Sequence, residues 1–327
     1  MTTTSRPRRS GAAALVLAMA GAALAGCAPS TAAADDCETT FTIGYSNPTS
    51  EAAVVKALTE RLVRIAEERG CIELLVGNTT GGDLEHQRGT LESWVTQGID
   101  AIIVTPVDAT ALTNLRVQAQ EKGMKWISYG VMEEGADGLA GFDNDESGRI
   151  VGQAAADWIA ANHPEGDVTA AVTTLTPLAV VSGRWDGPTE ILGAAGIDIV
   201  SSQDCADQVC GQEITEALIQ SDPLFRVFIG FNDDAALGAA KAFKDAGISP
   251  EETFIAGQDG APPALDAVAA GDIDVSAAIV QEELANGMLD AAINAVTGTG
   301  ETQTSAEVIA ATLDDPDTLE MLLAQYE

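Results

Sequence analysis

The sequence is poor in basic residues and in aromatic rings. Its 327 residues include 16 Lys and Arg against 50 Asp and Glu, which gives a formal net charge of −34. A chain so short of positive charge is not expected to bind the phosphate backbone of nucleic acid or to dock electrostatically on anionic lipid. Aromatic residues make up 4% of the chain, so each ring near a candidate site is informative.

Histidine and cysteine, which are common in catalytic and zinc sites, are also scarce. The chain has two histidines, His86 and His163, in or beside predicted helices, and its five cysteines lack the spacing of zinc ligands. It contains no Gly-x-Ser-x-Gly elbow, no His-Glu-x-x-His and no Gly-rich phosphate loop. We therefore expect no metal and no cofactor, and an enzyme is a poor second interpretation.

A hydrophobic run long enough to span a bilayer comfortably is missing near the first residues. The apolar run over residues 11–26 is too short and too rich in Ala and Gly for that role. Arg6, Arg8 and Arg9 precede it and small residues close it, which is typical of a secretory signal. We predict that residues 1–26 are removed on export.

The tetrapeptide Leu24-Ala25-Gly26-Cys27 resembles the end of a bacterial lipoprotein signal. The resemblance implies that Cys27 is acylated, that residues 27–37 form a short tether, and that the protein is anchored to the outer face of the cytoplasmic membrane by its lipid alone. The alternative is an ordinary secretory signal cleaved after an Ala, with Cys27 removed or free.

Four cysteines are left once Cys27 is set aside, an even number that suits disulfides in an oxidising compartment. Cys37 and Cys71 each precede an apolar run, so they lie at the same sheet edge if the two runs are neighbouring parallel strands. Cys205 and Cys210 are close enough to bridge within one loop. We predict the pairs Cys37–Cys71 and Cys205–Cys210.

Short apolar runs alternate with amphipathic stretches along most of the chain. This repetition is typical of βαβ units, whose parallel sheets are covered by helices on both faces. About 300 residues is more than one core usually organises, so two such sheets are expected. The predicted strands are 41–45, 72–76, 101–105, 125–129, 138–142, 168–173, 198–201, 227–231, 253–256 and 275–280, and the predicted helices are 52–68, 83–97, 109–122, 147–161, 184–195, 211–220, 233–246, 263–269, 281–296 and 315–325.

Polar residues collect where these strands end, which is where open α/β sheets bind ligands. Ser46 and Asn47 follow the first strand, and further polar groups follow the third, fifth, eighth, ninth and tenth. The series resembles the type I periplasmic substrate-binding proteins of ABC transporters, in the ribose-binding-like branch. The resemblance is carried by the segment Gln97-Gly98-Ile99-Asp100-Ala101-Ile102-Ile103-Val104-Thr105-Pro106-Val107-Asp108, by Asp143-Asn144, by Phe231-Asn232-Asp233, and by Gly257-Gln258-Asp259-Gly260.

The resemblance implies a set of ligand-binding residues. In sugar-binding members an aspartate at the position of Asp259 accepts from two hydroxyls, and an arginine at the position of Arg184 donates to ring or hydroxyl oxygens. Asn144, Asn232 and Gln281 match positions that contact hydroxyls or line the hinge. The competing interpretation of such Asn and Asp residues is that they cap the next helix or form an Asx turn, which we expect for Asp108 and Asp233.

The sequence departs from the ribose-binding pattern in the first half of its cleft. Where those members carry adjacent aromatics early in the first helix, this chain has Ser50-Glu51-Ala52-Ala53-Val54, and Tyr129-Gly130 replaces an Asp-Arg pair. Compensating rings are available, and we expect Tyr129 and Trp185 to face the cleft, while core packing explains Tyr45 and Phe142 equally well. The ligand is therefore less determined than the fold, and a nucleoside or a furanosyl signal is a competing ligand class.

Taken together, these patterns predict two doubly wound α/β lobes with parallel sheets, joined by a three-stranded hinge. The resemblance implies that residues 38–142 with 282–308 form the first lobe and residues 143–281 with 309–327 the second. It also implies a monomeric binding protein that closes on a small neutral sugar or polyol and presents it to an ABC permease with its ATPase. A sensor lipoprotein that passes a small diffusible signal to a receptor is the alternative.

Overall fold

A computed structural model describes residues 39–326 of the chain. The predicted signal, the predicted tether, the predicted acylation site Cys27 and Cys37, which is predicted to pair with Cys71, all lie outside the described residues. Among the described helices, none has both the length and the hydropathy to cross a membrane.

Within residues 39–326 the chain alternates strands and helices around two six-stranded sheets. The strands are β1 (Phe41–Ser46), β2 (Ile72–Val76), β3 (Ala101–Val104), β4 (Lys125–Tyr129), β5 (Gly138–Phe142), β6 (Thr169–Val172), β7 (Asp198–Ser201), β8 (Phe225–Ile229), β9 (Phe254–Asp259), β10 (Val275–Ile279), β11 (Gln303–Ala306) and β12 (Val308–Thr312). The helices are α1 (Ala53–Arg69), α2 (Leu84–Gln97), α3 (Ala109–Glu121), α4 (Asn144–Asn162), α5 (Gly183–Ala194), α6 (Gln208–Ser221), α7 (Asp233–Asp245), α8 (Pro262–Ala270), α9 (Gln281–Thr297) and α10 (Pro316–Ala324). Short 3₁₀ segments lie at Thr176–Val181 and Pro250–Glu252.

The two sheets share one topology. The first has the order β11-β5-β4-β3-β1-β2 and the second β12-β10-β9-β8-β6-β7. The pairings are parallel except for β12, which runs antiparallel to β10. Each sheet with its covering helices is a lobe, and the two lobes are the predicted α/β architecture.

The strands are buried because helices cover both faces of each sheet. In β3 all four residues are buried, without the alternation of a half-exposed strand. On one face of the first sheet α9 supplies Leu284 and Met288 to a cluster around Ile43, while Leu91 and Trp126 pack on the other face. The second sheet is likewise enclosed by two clusters.

Local signals explain where several helices begin. Asp83, Asp108, Asp143 and Asn232 each accept a hydrogen bond from a backbone N–H in the first turn of the following helix. Such caps satisfy donors that have no partner inside the helix. The capping role expected of Asp108 is therefore present, with its carboxylate 2.9 Å from the Ala111 nitrogen.

The chain passes between the sheets three times. It crosses after β5, after β10 and at Glu307, the single residue between β11 and β12. Val308, which the sequence analysis places in the first lobe, instead pairs with Ile279 in the second sheet. The other boundary, at residue 281, also differs, because Gln281 begins α9, which packs on the first sheet.

Other differences from the sequence prediction are local. Strand β8 lies two residues earlier than predicted, at Phe225–Ile229, because Gly230 to Asn232 form the turn into α7. Strands β11 and β12 are absent from the sequence prediction. The segment Gln-Thr-Ser-Ala of β11 carries little strand signal, whereas Val-Ile-Ala-Ala-Thr of β12 is rich in β-branched residues and its signal was missed. The structure contains the Cys205–Cys210 disulfide, with the two Cα atoms 5.7 Å apart.

The carboxyl group of Asp274 is expected to make the stability of the folded protein depend on pH. Its carboxylate accepts from the Ile255 backbone N–H at 2.7 Å, and burial raises its pKa to about 6. Because the folded state holds this proton more tightly than the unfolded chain, the stabilisation is present below about pH 4 and is lost as the pH rises through about 6. We expect Asp274→Asn to gain up to about 2–3 kcal/mol relative to wild type between pH 4 and pH 7.

Urea unfolding of both proteins at several pH values measures this difference. Asp266→Asn, at an exposed position on α8, is the control and should follow wild type. A difference between Asp274→Asn and wild type that stays constant with pH would show that the folded protein does not hold that proton.

Candidate ligand-binding site

Arg184 is the centre of the polar cluster at the carboxyl edge of the second sheet. It lies in the first turn of α5 and is buried. Its guanidinium donates to the Asp259 carboxylate at 2.5 Å, to the Asn144 side-chain oxygen at 3.0 Å and to the Phe231 carbonyl at 3.1 Å. The structure thus brings together three of the residues that the sequence assigns to ligand binding.

Two aromatic rings fix the plane of this guanidinium. The Arg184 Cζ lies 5.3 Å from the centre of the Phe142 ring and 5.2 Å from that of Phe231. Cation–π contact and hydrogen bonds to three different elements leave the side chain little rotamer freedom. Phe142 also packs against a core cluster of each lobe, at the end of the strand from which the chain first crosses.

Asp259 ends β9 in an unusual backbone conformation. Its φ of 118° lies in a region that residues with a side chain rarely adopt, and such strain is found at functional sites. The side chain keeps 16% of its surface exposed. Burial raises the pKa of this carboxyl, while the positive charge and hydrogen bond of Arg184 oppose the rise.

Asp233 is a buried residue that links α7 to the segments next to Asp259. Its carboxylate accepts from the Ser276 hydroxyl at 2.7 Å and from the Ala261 N–H at 2.6 Å. Burial, and next the charge of Asp259, raise the pKa of Asp233 well above its usual value. The expected capping role of Asp233 is therefore wrong: Asn232 caps α7, and Asp233 ties α7 to the loop after β9 and to β10.

Gln258 is a second buried support that sequence reasoning did not single out. Its side-chain oxygen accepts from the Ser147 hydroxyl at 2.7 Å, and its nitrogen donates to the carbonyls of Arg184 and Gly230. One amide therefore joins α4, α5 and the end of β8. Its position directly before Asp259, in the same polar motif, was the only signal available.

Glycine is required beside both aspartates. A Cβ at Gly257 would lie 2.2 Å from the Asp233 carboxylate, and one at Gly260, where φ is +74°, would lie 2.5 Å from the Ala278 Cβ. These contacts are too close for any side chain. The two glycines of the Gly-Gln-Asp-Gly motif thus allow its backbone to pack closely against Asp233 and Ala278.

The first lobe contributes two tyrosines. Burial raises the pKa of Tyr129, and the next largest cause is the negative charge of Asp259 on the other lobe. The Tyr45 ring lies 6.4 Å from that of Tyr129 and is fully buried in the core cluster. Burial also raises the pKa of Tyr45, and hydrogen bonding to Asn47 and Thr59 opposes the rise.

Gln281 begins α9, two residues after β10 ends. The residue is fully buried, and neither its side-chain oxygen nor its nitrogen has a hydrogen-bond partner among the described residues. Its backbone N–H donates to the Gln325 side-chain oxygen at 2.7 Å. A buried amide with both ends unpaired is unstable unless hydroxyls or water satisfy it.

Ser46 and Asn47 lie at the end of β1, as predicted, but are held by their own lobe. The Ser46 hydroxyl donates to the Gly77 carbonyl and accepts from Gln87. The Asn47 side-chain oxygen accepts from both the backbone and the hydroxyl of Thr49, each at 3.0 Å. These contacts shape the loop between β1 and α1.

Asn232 and Trp185 make their contacts within the second lobe. Asn232 uses both ends of its amide, accepting from the Ala235 N–H and donating to the Ala206 carbonyl, and ligand binding by Asn232 remains a prediction. Trp185 is buried in the core cluster of the second lobe, so the exposure predicted for it is not present. Its ring lies 5.9 Å from that of Phe231, whose carbonyl accepts from Arg184.

The arrangement presents polar groups with balanced charge between the lobes. Arg184 and Asp259 neutralise each other, and the amides and phenols around them are neutral. The raised pKa of the buried Asp233 favours the uncharged form of that carboxyl as well. The described residues contain no group of His, Cys, Asp and Glu that could hold a metal ion.

A family model described as "Periplasmic binding protein domain" matches residues 43–300. The ribose import binding protein RbsB of Bacillus subtilis is 26% identical over 245 residues, which cover 74% of this chain and 76% of that protein. The galactofuranose-binding protein YtfQ of Escherichia coli is 26% identical over 251 residues, covering 72% and 76%.

Solved structures share the architecture. A solute-binding protein of an ABC transporter from Bacillus halodurans, described with bound myo-inositol, superposes with a TM-score of 0.77 at 20% identity, covering 88% of this chain and 99% of that one. This similarity shows a common fold. Since the family model spans most of the sequence, from β1 to the end of α9, the chain belongs to the periplasmic binding protein family.

Proposed function

We propose that the protein binds a small neutral sugar or polyol between its two lobes, as the solute-binding component of an ABC importer. The observation that carries the proposal is the Asp259–Arg184 pair, together with the unpaired amide of the buried Gln281. The Asp259 side chain keeps 16% of its surface exposed, and Gln281 offers a donor and an acceptor without partners among the described residues. Hydroxyl groups both donate and accept, so a polyol suits this set.

The charge balance of the site selects against other ligand classes. An amino acid carries a separate ammonium and carboxylate, and each would need its own unpaired counter-charge. Here the guanidinium and the carboxylate already satisfy each other at 2.5 Å. A ligand without net charge can bind to both groups without separating them. Its hydrogen bonds to these ionised side chains are strong in a site shielded from water.

The relatives support the same ligand class. Ribose and galactofuranose are named for the two relatives above, and myo-inositol for the solved structure. In the proposed function the protein is exported, is anchored through Cys27, acts as a monomer without cofactor or chemistry of its own, and delivers its ligand to a permease with its ATPase. The three chain crossings act as the hinge.

A thermal-shift screen of residues 28–327 against pentoses, hexoses, polyols, nucleosides and amino acids tests the ligand class. A ligand at 100 times its Kd stabilises the folded state by about 2.7 kcal/mol, which corresponds to a rise in Tm of about 5 °C or more. We expect such a rise with at least one sugar or polyol. Shifts confined to amino acids would contradict the neutral-site argument, and shifts confined to nucleosides would replace the ligand class.

Asp259→Asn tests the site itself. The change keeps the shape of the side chain but removes its charge, so hydrogen bonds from ligand hydroxyls weaken by about 1.5–3 kcal/mol, or about 10- to 150-fold in Kd. Calorimetric titration with the sugar or polyol found in the screen measures the loss.

The matched control is Asp108→Asn, which replaces a carboxylate at the edge of the first sheet. Asn caps helices as well as Asp does, so this variant should fold and bind like wild type. Equal affinity for wild type and Asp259→Asn would remove Asp259 from the site.

A further inference from the structure

Residues 325 and 326 contact the crossing after β10 and the loop after β9, two segments that flank the polar cluster. They follow α10, which packs on α8 and β12 of the second lobe. The Gln325 side-chain oxygen accepts from the backbone N–H of Gln281 at 2.7 Å and of Glu282 at 3.3 Å. The second lobe thereby caps the first turn of α9, a helix of the first lobe.

This contact replaces a missing cap. The residue before α9 is Val280, which has no side-chain acceptor, so the first N–H groups of the helix have no partner of their own. Gln325 supplies the acceptor from 44 residues away in sequence. The same turn of α9 carries Glu282, which pairs with Arg61 and Arg64 of α1.

Tyr326 makes the second contact. Its hydroxyl donates to the Gly260 carbonyl at 2.7 Å, directly after Asp259. Burial raises the pKa of Tyr326, and the charges that act on it belong to Asp233, Arg61, Asp259 and, more weakly, Tyr129. Gln325 and Tyr326 also line a small cavity together with residues of α1, namely Ala57, Glu60, Arg61 and Arg64. The phenol therefore lies at the junction of the two lobes.

We infer that Gln325 and Tyr326 form a clasp that positions Gln281 and Asp259 and holds the two lobes in the arrangement described here. Gln325 fixes the backbone of Gln281, and Tyr326 fixes the peptide that follows the strained Asp259. The inference deepens the proposed function on which it rests, because Asp259 ends a strand of the second lobe, Gln281 begins a helix of the first lobe, and the two need a common support.

Amide exchange and small-angle scattering test the clasp without any ligand. In the purified protein, Gln325→Met removes the acceptor while keeping a side chain of similar length, and Tyr326→Phe removes only the hydroxyl. A hydrogen bond contributes about 1 kcal/mol to stability, so its loss in Gln325→Met should speed exchange at the Gln281 and Glu282 amides about fivefold. The double variant should also have a larger radius of gyration than wild type.

Two control variants distinguish the loss of the clasp contacts from a general loss of folding stability. Gln325→Glu keeps an oxygen that accepts from the same N–H groups and should restore wild-type exchange. Thr318→Val removes the 2.8 Å hydroxyl bond to Asp315 in the same helix, away from the clasp, and should leave both the amides at 281 and 282 and the radius of gyration unchanged.

Titration with D-ribose, xylitol and myo-inositol adds the functional arm. For any of these that binds wild type, Gln325→Met and Tyr326→Phe should weaken binding about fivefold each, while Gln325→Glu and Thr318→Val should not. Wild-type exchange, size and affinity in the Gln325→Met/Tyr326→Phe double variant would overturn the clasp. If wild type binds none of the three compounds, the proposed function is weakened, whereas exchange and scattering still decide whether the clasp exists.

Discussion

The ion pair between Arg184 and Asp259 is the interaction on which the rest of the site depends. Two charges taken out of water are costly unless the geometry is good and the remaining donors and acceptors are satisfied. The structure meets that condition with Asn144, the Phe231 carbonyl and two aromatic rings. Gln258 and Asp233 then hold the backbone on either side of the pair. The polar residues beneath the cleft are therefore part of one network.

The architecture could be predicted from the sequence because both of its signals are local. Apolar runs separated by amphipathic stretches give strands and helices, and alternation of the two gives parallel sheets. Local patterns do not predict a strand whose residues have weak strand propensity, or a helix cap that a distant part of the chain supplies. Strand β11 is short and polar, and the cap of α9 comes from Gln325, a residue with no pattern of its own.

The site was predicted in part, and the errors have a common cause. Arg184, Asn144 and Asp259 do meet, as their family positions implied. Asn232 and Asp233 are adjacent and chemically similar, and the sequence cannot show which one caps the helix and which one is drawn into the core. That choice depends on the long-range partners Ser276 and Ala261. The burial of Trp185 could not be predicted for the same reason, since it depends on packing against Phe231.

The charged pair of the polar cluster, Arg184 and Asp259, comes from the second lobe, whereas Tyr129 and Gln281 of the first lobe are neutral. The second lobe thus carries a rigid electrostatic template whose parts cannot be exchanged singly, because each is bonded to the others. The side chain of Gln281 makes no hydrogen bond to that template or to any other described residue, so a change of this side chain leaves the ion pair intact. New ligand preferences are therefore more accessible to evolution or to engineering at this position than within the template.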